Sequence, residues 1–454
     1  MNLDKLIINA NIMLPQSGPT HGAVGIKDGR IAIISKNTEG LSADEVIDCE
    51  GLWLLPGVID PHVHFGFGSP ETDFETESRN AAIGGTTTAL SFHRSKDIRD
   101  SFDATRALAE SQSCIDIGFH FGITSNLHVE TLQEISERFG VSSYKLYMMY
   151  KGAAGLSQGF TDIDDGLLFN ALRETAKIPG AILGVHCENV EVIPLLRDPL
   201  RAAGRDDLKA WNEQSPDFLE AENVHRVCYF ASKTQTPVNI VHLSSHEALD
   251  EVRRHRARRN GPPIYVESCP HYLFFNDESP AGTYAKVNPP VRTQSDVEAM
   301  WEGVMDGSIT TLGSDHVPRK RATKDKSIWA ASNGFPGTGM MLPVMLHEGY
   351  HKRGIPISKI TQLLSENSAR IYKLPSKGSI EVGKDADLLI VDPDLERTVD
   401  PALLESHADY SPYEGMSIKG WPVRTLVRGR TVMLDGKITN VARTNPGGRF
   451  LRRH

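Results

Sequence analysis

The segment Pro56-Gly-Val-Ile-Asp-Pro-His-Val-His64 decides how the chain is interpreted. It begins as a short apolar strand at residues 57–59 and ends in two histidines separated by one residue. Because alternate residues of an extended segment point to the same side, His62 and His64 can reach one metal ion together. The segment therefore indicates a strand that leads into a metal site.

After this strand, apolar runs recur about every 30 residues, and most are followed by an amphipathic helical stretch. Strands that alternate with helices predict a parallel sheet. The strand candidates are residues 57–59, 87–92, 117–122, 143–147, 181–185, 238–241, 264–267 and 309–312. Eight such units favour an α/β fold built on a closed (β/α)8 TIM-like barrel, with a doubly wound open sheet as the alternative, because sequence does not give strand order.

Both ends of the chain consist of short β runs separated by turns, such as Asp28-Gly29, a hairpin signal. Each end alone has too few strands to bury a face, so we expect the two termini to form one small β-sandwich domain. The predicted organisation is residues 1–55 and 377–440 for the sandwich, 56–376 for the barrel and 441–454 for a tail. The tail carries three arginines after Gly447, and we expect it to be disordered or to lie on a neighbouring subunit.

The composition excludes several classes of protein. The 49 Lys+Arg against 58 Asp+Glu give a net charge of −9, which argues against a nucleic-acid partner. The sequence has no secretory leader and no run of about 18 apolar residues, so we expect a cytoplasmic protein without a membrane span. Five scattered cysteines without Cys-x-x-Cys spacing fit neither a disulfide framework nor a thiolate zinc site.

Further metal-type side chains fall at the ends of other predicted strands. Lys145 lies at the fourth strand, His186 at the fifth and His242 at the sixth, and Asp315 comes just after the eighth. In a barrel the carboxyl ends of all strands meet at one mouth, so we expect these side chains to converge with the histidine pair. A lysine in an apolar strand would be costly as a bare buried cation.

The chain resembles the amidohydrolase superfamily, and within it the cyclic-amidase branch of hydantoinases, dihydropyrimidinases, allantoinases and dihydroorotases. The resemblance covers nearly the whole chain. Besides Pro56 to His64, it rests on Gly84-Gly-Thr-Thr-Thr88, Lys145-Leu-Tyr-Met-Met-Tyr-Lys151, Val185-His-Cys-Glu-Asn189, Ile240-Val-His-Leu-Ser-Ser245, Cys269-Pro-His-Tyr-Leu273, Asn288-Pro-Pro-Val-Arg292, Gly313-Ser-Asp-His316 and the segment 377–388.

The resemblance implies a centre of two Zn²⁺ ions. Its ligands would be His62, His64 and Asp315 for one ion, His186 and His242 for the other, and an N-carboxylated Lys145 bridging both. A hydroxide bridging the metals would attack the ring amide carbon, with Asp315 as the proton shuttle and Tyr150 as the hydroxyl that stabilises the oxyanion.

The resemblance also implies a small cyclic amide or imide as substrate, held at its imide edge by the main chain of Asn288 and Asn333. The loops 65–74 and 150–160 would line the pocket for the exocyclic substituent, with the phenylalanines Phe65, Phe67, Phe74 and Phe160. Aromatic walls predict an apolar substituent. Dihydroorotases place an arginine two residues after the second histidine, where this chain has Gly66, so we expect dihydroorotate to be a poor substrate.

Hydantoinase or dihydropyrimidinase activity is the leading functional hypothesis. Allantoinase is the near alternative, because His271 resembles allantoinases whereas Tyr150 and Asn333 resemble hydantoinases. A catalytically inactive scaffold, like the collapsin response mediator proteins, is a third reading that the six retained ligand positions disfavour. The family resemblance implies a homo-oligomer, typically a tetramer, and the sequence gives neither the natural substrate nor the preferred enantiomer.

Overall fold

The computed structural model describes residues 2–15, 18–151, 155–156, 161, 163–258 and 260–453. Eight parallel strands follow one another around a barrel in the order of the sequence. They are Val58–Val63, Thr86–His93, Asp116–Ile123, Ser143–Tyr147, Ile182–His186, Val238–Ile240, Ile264–Ser268 and Thr311–Leu312. All eight predicted strands are present. The first extends further than predicted, so His62 lies within it rather than after it.

The barrel closes where its first strand meets the chain that follows its last strand. Val63 and His316 form a parallel bridge. The His64 N–H donates to the His316 carbonyl at 2.9 Å, and the His316 N–H donates to the His62 carbonyl at 3.3 Å. The closed barrel is therefore confirmed over the doubly wound alternative, and the closure lies directly at the predicted metal ligands.

Helices fill most connections between the strands and cover the outside of the barrel. The α-helices are Asp73–Ile83, Ile98–Gln112, Asn126–Glu130, Leu132–Phe139, Asp165–Thr175, Ile193–Ala202, Leu208–Glu213, Asp217–Thr234, His246–Arg256, Gln294–Asp306, Met341–Val344, Ile357–Thr361, Asn367–Ile371 and Asn440–Thr444. π-Helical turns at Met345–Lys352 and Gln362–Glu366 extend two of them. Among the described residues, none of the helices has both the length and the apolar composition required to cross a bilayer.

The two ends of the chain build one hydrogen-bonded mixed sheet of nine strands, as the sequence predicts for a small β domain. The strands are Asn2–Leu14, Gly18–Lys27, Arg30–Ser35, Ser42–Asp48, Trp53–Pro56, Leu388–Thr398, Ser417–Val427, Arg430–Leu434 and Lys437–Ile438. The ends meet where Trp53–Pro56 pairs antiparallel with the start of Leu388–Thr398. This pairing fixes the amino-terminal sheet directly before the first barrel strand.

A buried ion cluster ties this sheet to the barrel. The Lys377 ammonium lies 2.5 Å from Asp116 Oδ2 and 2.6 Å from Asp387 Oδ2. Asp116 begins the third barrel strand, whereas Asp387 directly precedes a strand of the terminal sheet. The cluster therefore joins the two parts through a fully paired buried charge.

The tail lies on the chain's own barrel, so neither of its two predicted arrangements is found. The Leu451 N–H donates to Ile117 O at 2.8 Å, and the Ile117 N–H donates to Arg449 O at 2.9 Å. Arg453 is 8% exposed and donates to Ser143 Oγ at 2.7 Å and to the carbonyl of Phe119. The tail thus closes the amino-terminal end of the barrel, opposite the mouth.

Candidate metal centre and substrate cavity

A cavity of about 320 Å³ opens at the carboxyl ends of the barrel strands. Its lining includes all six predicted metal ligands together with Tyr150, Asn288, Asn333 and Phe67. The complete lining is His62, His64, Phe67, Arg94, Lys145, Tyr147, Met149, Tyr150, His186, His242, Val287, Asn288, Asp315, Val317, Arg319, Asn333 and Gly334. The structure therefore brings together residues from strands 1, 4 and 5 and from the segments that follow strands 1, 2, 6 and 8.

One group of ligand atoms forms around Asp315. His62 Nε2 lies 3.2 Å and His64 Nε2 lies 3.1 Å from Asp315 Oδ1. One ligand atom from each of these three residues falls within 4.8 Å of the other two. Two imidazole nitrogens and one carboxylate oxygen on neighbouring backbone segments are a donor set that Zn²⁺ accepts.

A second group forms around His242. His186 Nδ1 faces His242 Nε2 at 2.8 Å, and Lys145 Nζ lies 3.5 Å from the same His242 nitrogen. All three side chains are buried. Lys145 thus stands beside the two histidines, where a carboxylated lysine would have to be to bridge two ions.

Two of the predicted ligands have backbone conformations that are unusual for residues other than glycine. The φ angle is 39° at His242 and 49° at Asp315. For a residue with a side chain, this left-handed backbone conformation costs on the order of 1 kcal/mol or more, which contacts with the surrounding structure must offset. The strain turns both side chains at the strand ends toward the cavity.

Buried carboxylates hold two of the histidines from behind. Glu267 Oε1 lies 2.5 Å from His62 Nδ1, and Glu188 Oε2 lies 3.2 Å from His186 Nε2. In metal sites such a partner fixes the tautomer and the ring direction of the ligating histidine. The sequence analysis missed both, although Glu267 ends the predicted seventh strand and Glu188 follows the fifth by three residues.

Burial and neighbouring charges set the protonation of the centre. Burial lowers the pKa of Lys145 to about 8, which leaves a share of uncharged amine able to react with CO₂ at neutral pH. Burial would raise the pKa of Asp315, but the charges and hydrogen bonds of His62 and His64 hold it well below its usual range. Asp315 is therefore a carboxylate at neutral pH.

These residues fit a binuclear metal centre. Five donors form two groups, each with histidine nitrogens facing inward, and a carboxylate supports one histidine of each group. Lys145 is 1% exposed and forms no ion pair within the described ranges of the chain. A buried ammonium that is not directly paired with a carboxylate is unfavourable, and conversion to an anionic metal ligand would remove that cost.

The four predicted pocket phenylalanines have different positions. Phe67 lines the cavity, with its ring centre 5.0 Å from that of His64. Phe65 and Phe74 instead pack against each other in the core at 6.1 Å, 3% and 2% exposed. Phe160 lies outside the described residues. Phe65 and Phe67 differ because the loop after His64 turns Phe65 inward onto His316 and Phe67 toward the mouth of the cavity.

Two arginines, Arg94 and Arg319, also line the cavity, and the sequence analysis named neither of them. Arg94 follows the second barrel strand, so the rule that located the histidines at strand ends would also have located this arginine. Arg319 lies on the loop four residues after Asp315.

Comparison with known proteins places the chain among metal-dependent hydrolases of the kind that the geometry of the site indicates. Residues 219–432 match the family model described as the amidohydrolase family. An allantoinase of Rubrobacter xylanophilus is 35% identical over 438 residues, covering 94% of this chain and 93% of that protein. An L-hydantoinase of Paenarthrobacter aurescens is 32% identical over 449 residues, covering 96% and 95%.

Solved structures agree. An L-hydantoinase (dihydropyrimidinase) from Arthrobacter aurescens superposes with a TM-score of 0.90 at 29% identity, covering 99% of this chain and 100% of that one. The chain belongs to the amidohydrolase family, in the group of hydrolases that contains hydantoinases, dihydropyrimidinases and allantoinases. The resemblance stated from the sequence motifs is confirmed.

Proposed function

We propose that the protein is a zinc-dependent hydrolase that opens a cyclic amide or imide ring of the hydantoin or dihydropyrimidine type. The observation that carries this proposal is the convergence of His62, His64, His186, His242, Asp315 and Lys145 on one cavity. Relatives named hydantoinase and dihydropyrimidinase match the chain over almost its full length.

The zinc ions would supply, when bound, an activated water and a positive charge near the carbonyl that is attacked. His62, His64 and Asp315 would hold one ion and His186 and His242 the other, with carboxylated Lys145 between them. The cavity keeps these groups out of bulk water, which strengthens every charge interaction within it.

Residues of the chain itself transfer the proton and stabilise the charge that develops on the substrate. Asp315, a carboxylate at neutral pH, accepts the proton of the attacking water and returns it to the ring nitrogen as the amide C–N bond breaks. Tyr150, on the cavity wall, donates its hydroxyl toward the carbonyl oxygen while negative charge develops there. The products are a carboxylate and the freed nitrogen end of the opened ring.

Asn288 and Asn333 would bind the imide edge of the substrate. Both line the cavity. Asn333 Oδ1 is buried and has no hydrogen-bond partner in the described structure, so it is available to accept an imide N–H. A buried acceptor left without a partner is unfavourable, which a ligand N–H would correct.

Allantoinase is the second candidate. The allantoinase of Rubrobacter xylanophilus is 35% identical to the chain, and His271 is the residue that favoured this reading from the sequence. His271 is buried against Phe335, with ring centres 4.9 Å apart, and is not among the residues lining the cavity. It therefore affects the substrate only through the residues packed around it.

A ring-opening assay of the zinc-loaded protein tests the proposal. The panel is dihydrouracil, substituted hydantoins, allantoin and dihydroorotate, with the ring-opened products measured by chromatography. We expect hydantoins or dihydrouracil to be opened. Preferential opening of allantoin would favour the second candidate, and no turnover of any compound at full metal content would favour the inactive scaffold.

A further inference from the structure

Metal-type side chains also meet at a second place, among the helices that cover the outside of the barrel. His225 lies on the helix Asp217–Thr234, which precedes the sixth barrel strand, and Glu251 and His255 lie one turn apart on the helix that follows this strand. One ligand atom from each of the three residues falls within 4.8 Å of the other two, as in the first ligand group of the cavity. These three side chains are not among the described residues that line the cavity, so the proposed metal centre does not account for them.

The spacing of the three ligand atoms fits one small metal ion. His225 Nδ1 lies 3.0 Å from Glu251 Oε2 and 3.4 Å from His255 Nε2. A tetrahedral Zn²⁺ ion with bonds of about 2.0–2.1 Å holds its ligand atoms about 3.3 Å apart. The two imidazole ring centres are 5.0 Å apart and the ring planes cross at 64°, so the rings meet by their nitrogen edges and are not stacked. Two histidines and one glutamate are a donor set that zinc accepts.

Hydrogen bonds within this group leave one of its two contacts without a proton of its own. A carboxylate only accepts, and His225 Nδ1 carries at most one proton. If this proton points to Glu251, the contact with His255 Nε2 has no separate donor. If His255 Nε2 donates to His225 instead, the Glu251 carboxylate faces a nitrogen lone pair. A single cation would accept an electron pair from all three atoms at once.

The group is open to solvent on one side. His255 is 4% exposed, whereas the side chains of Glu251 and His225 are 15% and 52% exposed. An ion can therefore reach the group past His225 and find the other two ligands held by the packing of their helix. Burial, together with the charges of Arg258 and His225, lowers the pKa of His255 to about 4, so this imidazole is in the neutral form that binds metals.

The neighbouring charges include carboxylates on both helices. Burial and the charges of Asp217 and Glu251 raise the pKa of Glu247, which lies one turn before Glu251 on the same face. Arg254 pairs with Glu251 through Oε1, which leaves Oε2 for an ion. The opposing cation is Arg258, whose exposed side chain is screened by water and salt. A bound cation would therefore also reduce the repulsion among the carboxylates.

We propose that His225, Glu251 and His255 form a third metal site, which binds one Zn²⁺ ion through three protein ligands and leaves the fourth position to water. The ion would join the helices on either side of the sixth barrel strand, Val238–Ile240. His242, a ligand of the proposed metal centre, follows this strand by two residues, so the third ion would stabilise the segment that presents it. The proposal does not depend on the ring-opening activity.

Zinc content at equilibrium tests the proposal. Because the fourth position is open to water, we expect this ion to dissociate more readily than the two in the cavity, so each protein is dialysed against buffered zinc in the micromolar range. His225→Gln should hold about one zinc ion per chain fewer than the wild type, and Glu251→Gln should lose the same ion. Both variants should keep the wild-type ring-opening rate, because neither residue lines the cavity.

His246→Gln is the matched control. His246 lies on the same helix as Glu251 and His255, its side chain is 56% exposed, and its Nε2 faces the carboxylate of Asp250 at 3.5 Å. This variant should hold as much zinc as the wild type. Equal zinc content in the wild type and His225→Gln would overturn the proposal. A difference that arises only at about 1 mM free zinc would mark a weak surface contact and overturn it as well.

Thermal unfolding in the same zinc buffers gives a second measurement. A ligand that binds only the folded chain raises its Tm, so zinc should raise the Tm of the wild type by more than that of His225→Gln. An equal rise in the two proteins would contradict the third site. If no ring is opened at full metal content, the proposed function fails, and the difference in zinc content between the wild type and His225→Gln still decides the third site.

Discussion

The carboxylate of Asp60 accepts two hydrogen bonds from Ser314, one from its N–H to Oδ1 at 3.0 Å and one from its hydroxyl to Oδ2 at 2.5 Å. Asp60 lies on the first barrel strand, and Ser314 lies just after the last. Asp60 Oδ1 also accepts the N–H of His62 at 3.1 Å. The contact therefore sets the distance between His62 and Asp315, two ligands of the proposed first ion.

Ser314→Ala should destabilise the protein and disturb this distance. It removes the hydroxyl that donates to a fully buried carboxylate, a loss on the order of 1–3 kcal/mol in the free energy of unfolding. Urea denaturation measures the loss, and metal analysis should show weaker binding as well. Ser111→Ala is the control, because its hydroxyl bonds on the exposed side of a helix and its loss should cost about 0.5 kcal/mol or less.

Lys145→Ala should reduce the metal content from about two ions per chain and abolish turnover. The reason is that the alanine cannot bridge the two ligand groups. Elemental analysis after reconstitution with zinc and bicarbonate gives the metal content. Wild-type metal content with wild-type turnover would refute the binuclear centre.

Asp315→Asn should lower kcat on the order of 10²-fold or more while the fold is kept. The amide still offers an oxygen to a metal ion but cannot take a proton from water. Steady-state kinetics at matched metal content measures the effect. If kcat stays near the wild-type value, a group other than Asp315 moves the proton, and it is not His316, which the sequence favoured next, because that ring is fully buried against Glu77.

Glu267→Gln should weaken metal binding without removing a ligand. The amide can no longer hold the His62 ring as a carboxylate does, and losses of about 10- to 100-fold in metal affinity are typical for such supporting partners. Competition with a chelator measures the affinity. Glu298→Gln, at a half-exposed carboxylate on an outer helix, should bind zinc as the wild type does.

Arg453→Met should lower the free energy of unfolding by about 1–3 kcal/mol, because Ser143 Oγ and Phe119 O each lose a donor inside the barrel. Arg452→Met removes the same charge from an exposed neighbour and should change stability by about 0.5 kcal/mol or less. Equal melting behaviour of the two variants would contradict a stabilising role for the buried arginine.

The barrel and the ligand groups could be predicted because they depend on a repeated local signal. Each strand is an apolar run of its own; His186 ends one, His242 follows another by two residues and Lys145 lies within a third, so the convergence of the strands on one mouth brings them together. The family resemblance then added the division into two ions, which no spacing reveals.

Other features depend on contacts between distant segments and left no local signal. Phe65 and Phe67 are alike in sequence, and only the turn of the loop separates a core residue from a cavity residue. Arg319 is one of several basic residues on its loop, and its neighbour Lys320 donates instead to the His407 carbonyl. Arg453 contacts strands about 310 to 330 residues away, so its burial could not be inferred from the tail itself.

The pairing of Trp53–Pro56 with Leu388–Val391 constrains how the protein is made on the ribosome. Leu54 and Leu55, buried in the folded chain, are synthesised about 330 residues before the strand that covers them. At about 5–20 residues per second, the emerging amino-terminal sheet keeps an open apolar edge for roughly 15–70 s. Throughout that interval the unpaired edge is open to pairing with other nascent chains, a risk that ends only when Leu388–Val391 has been synthesised and pairs with it.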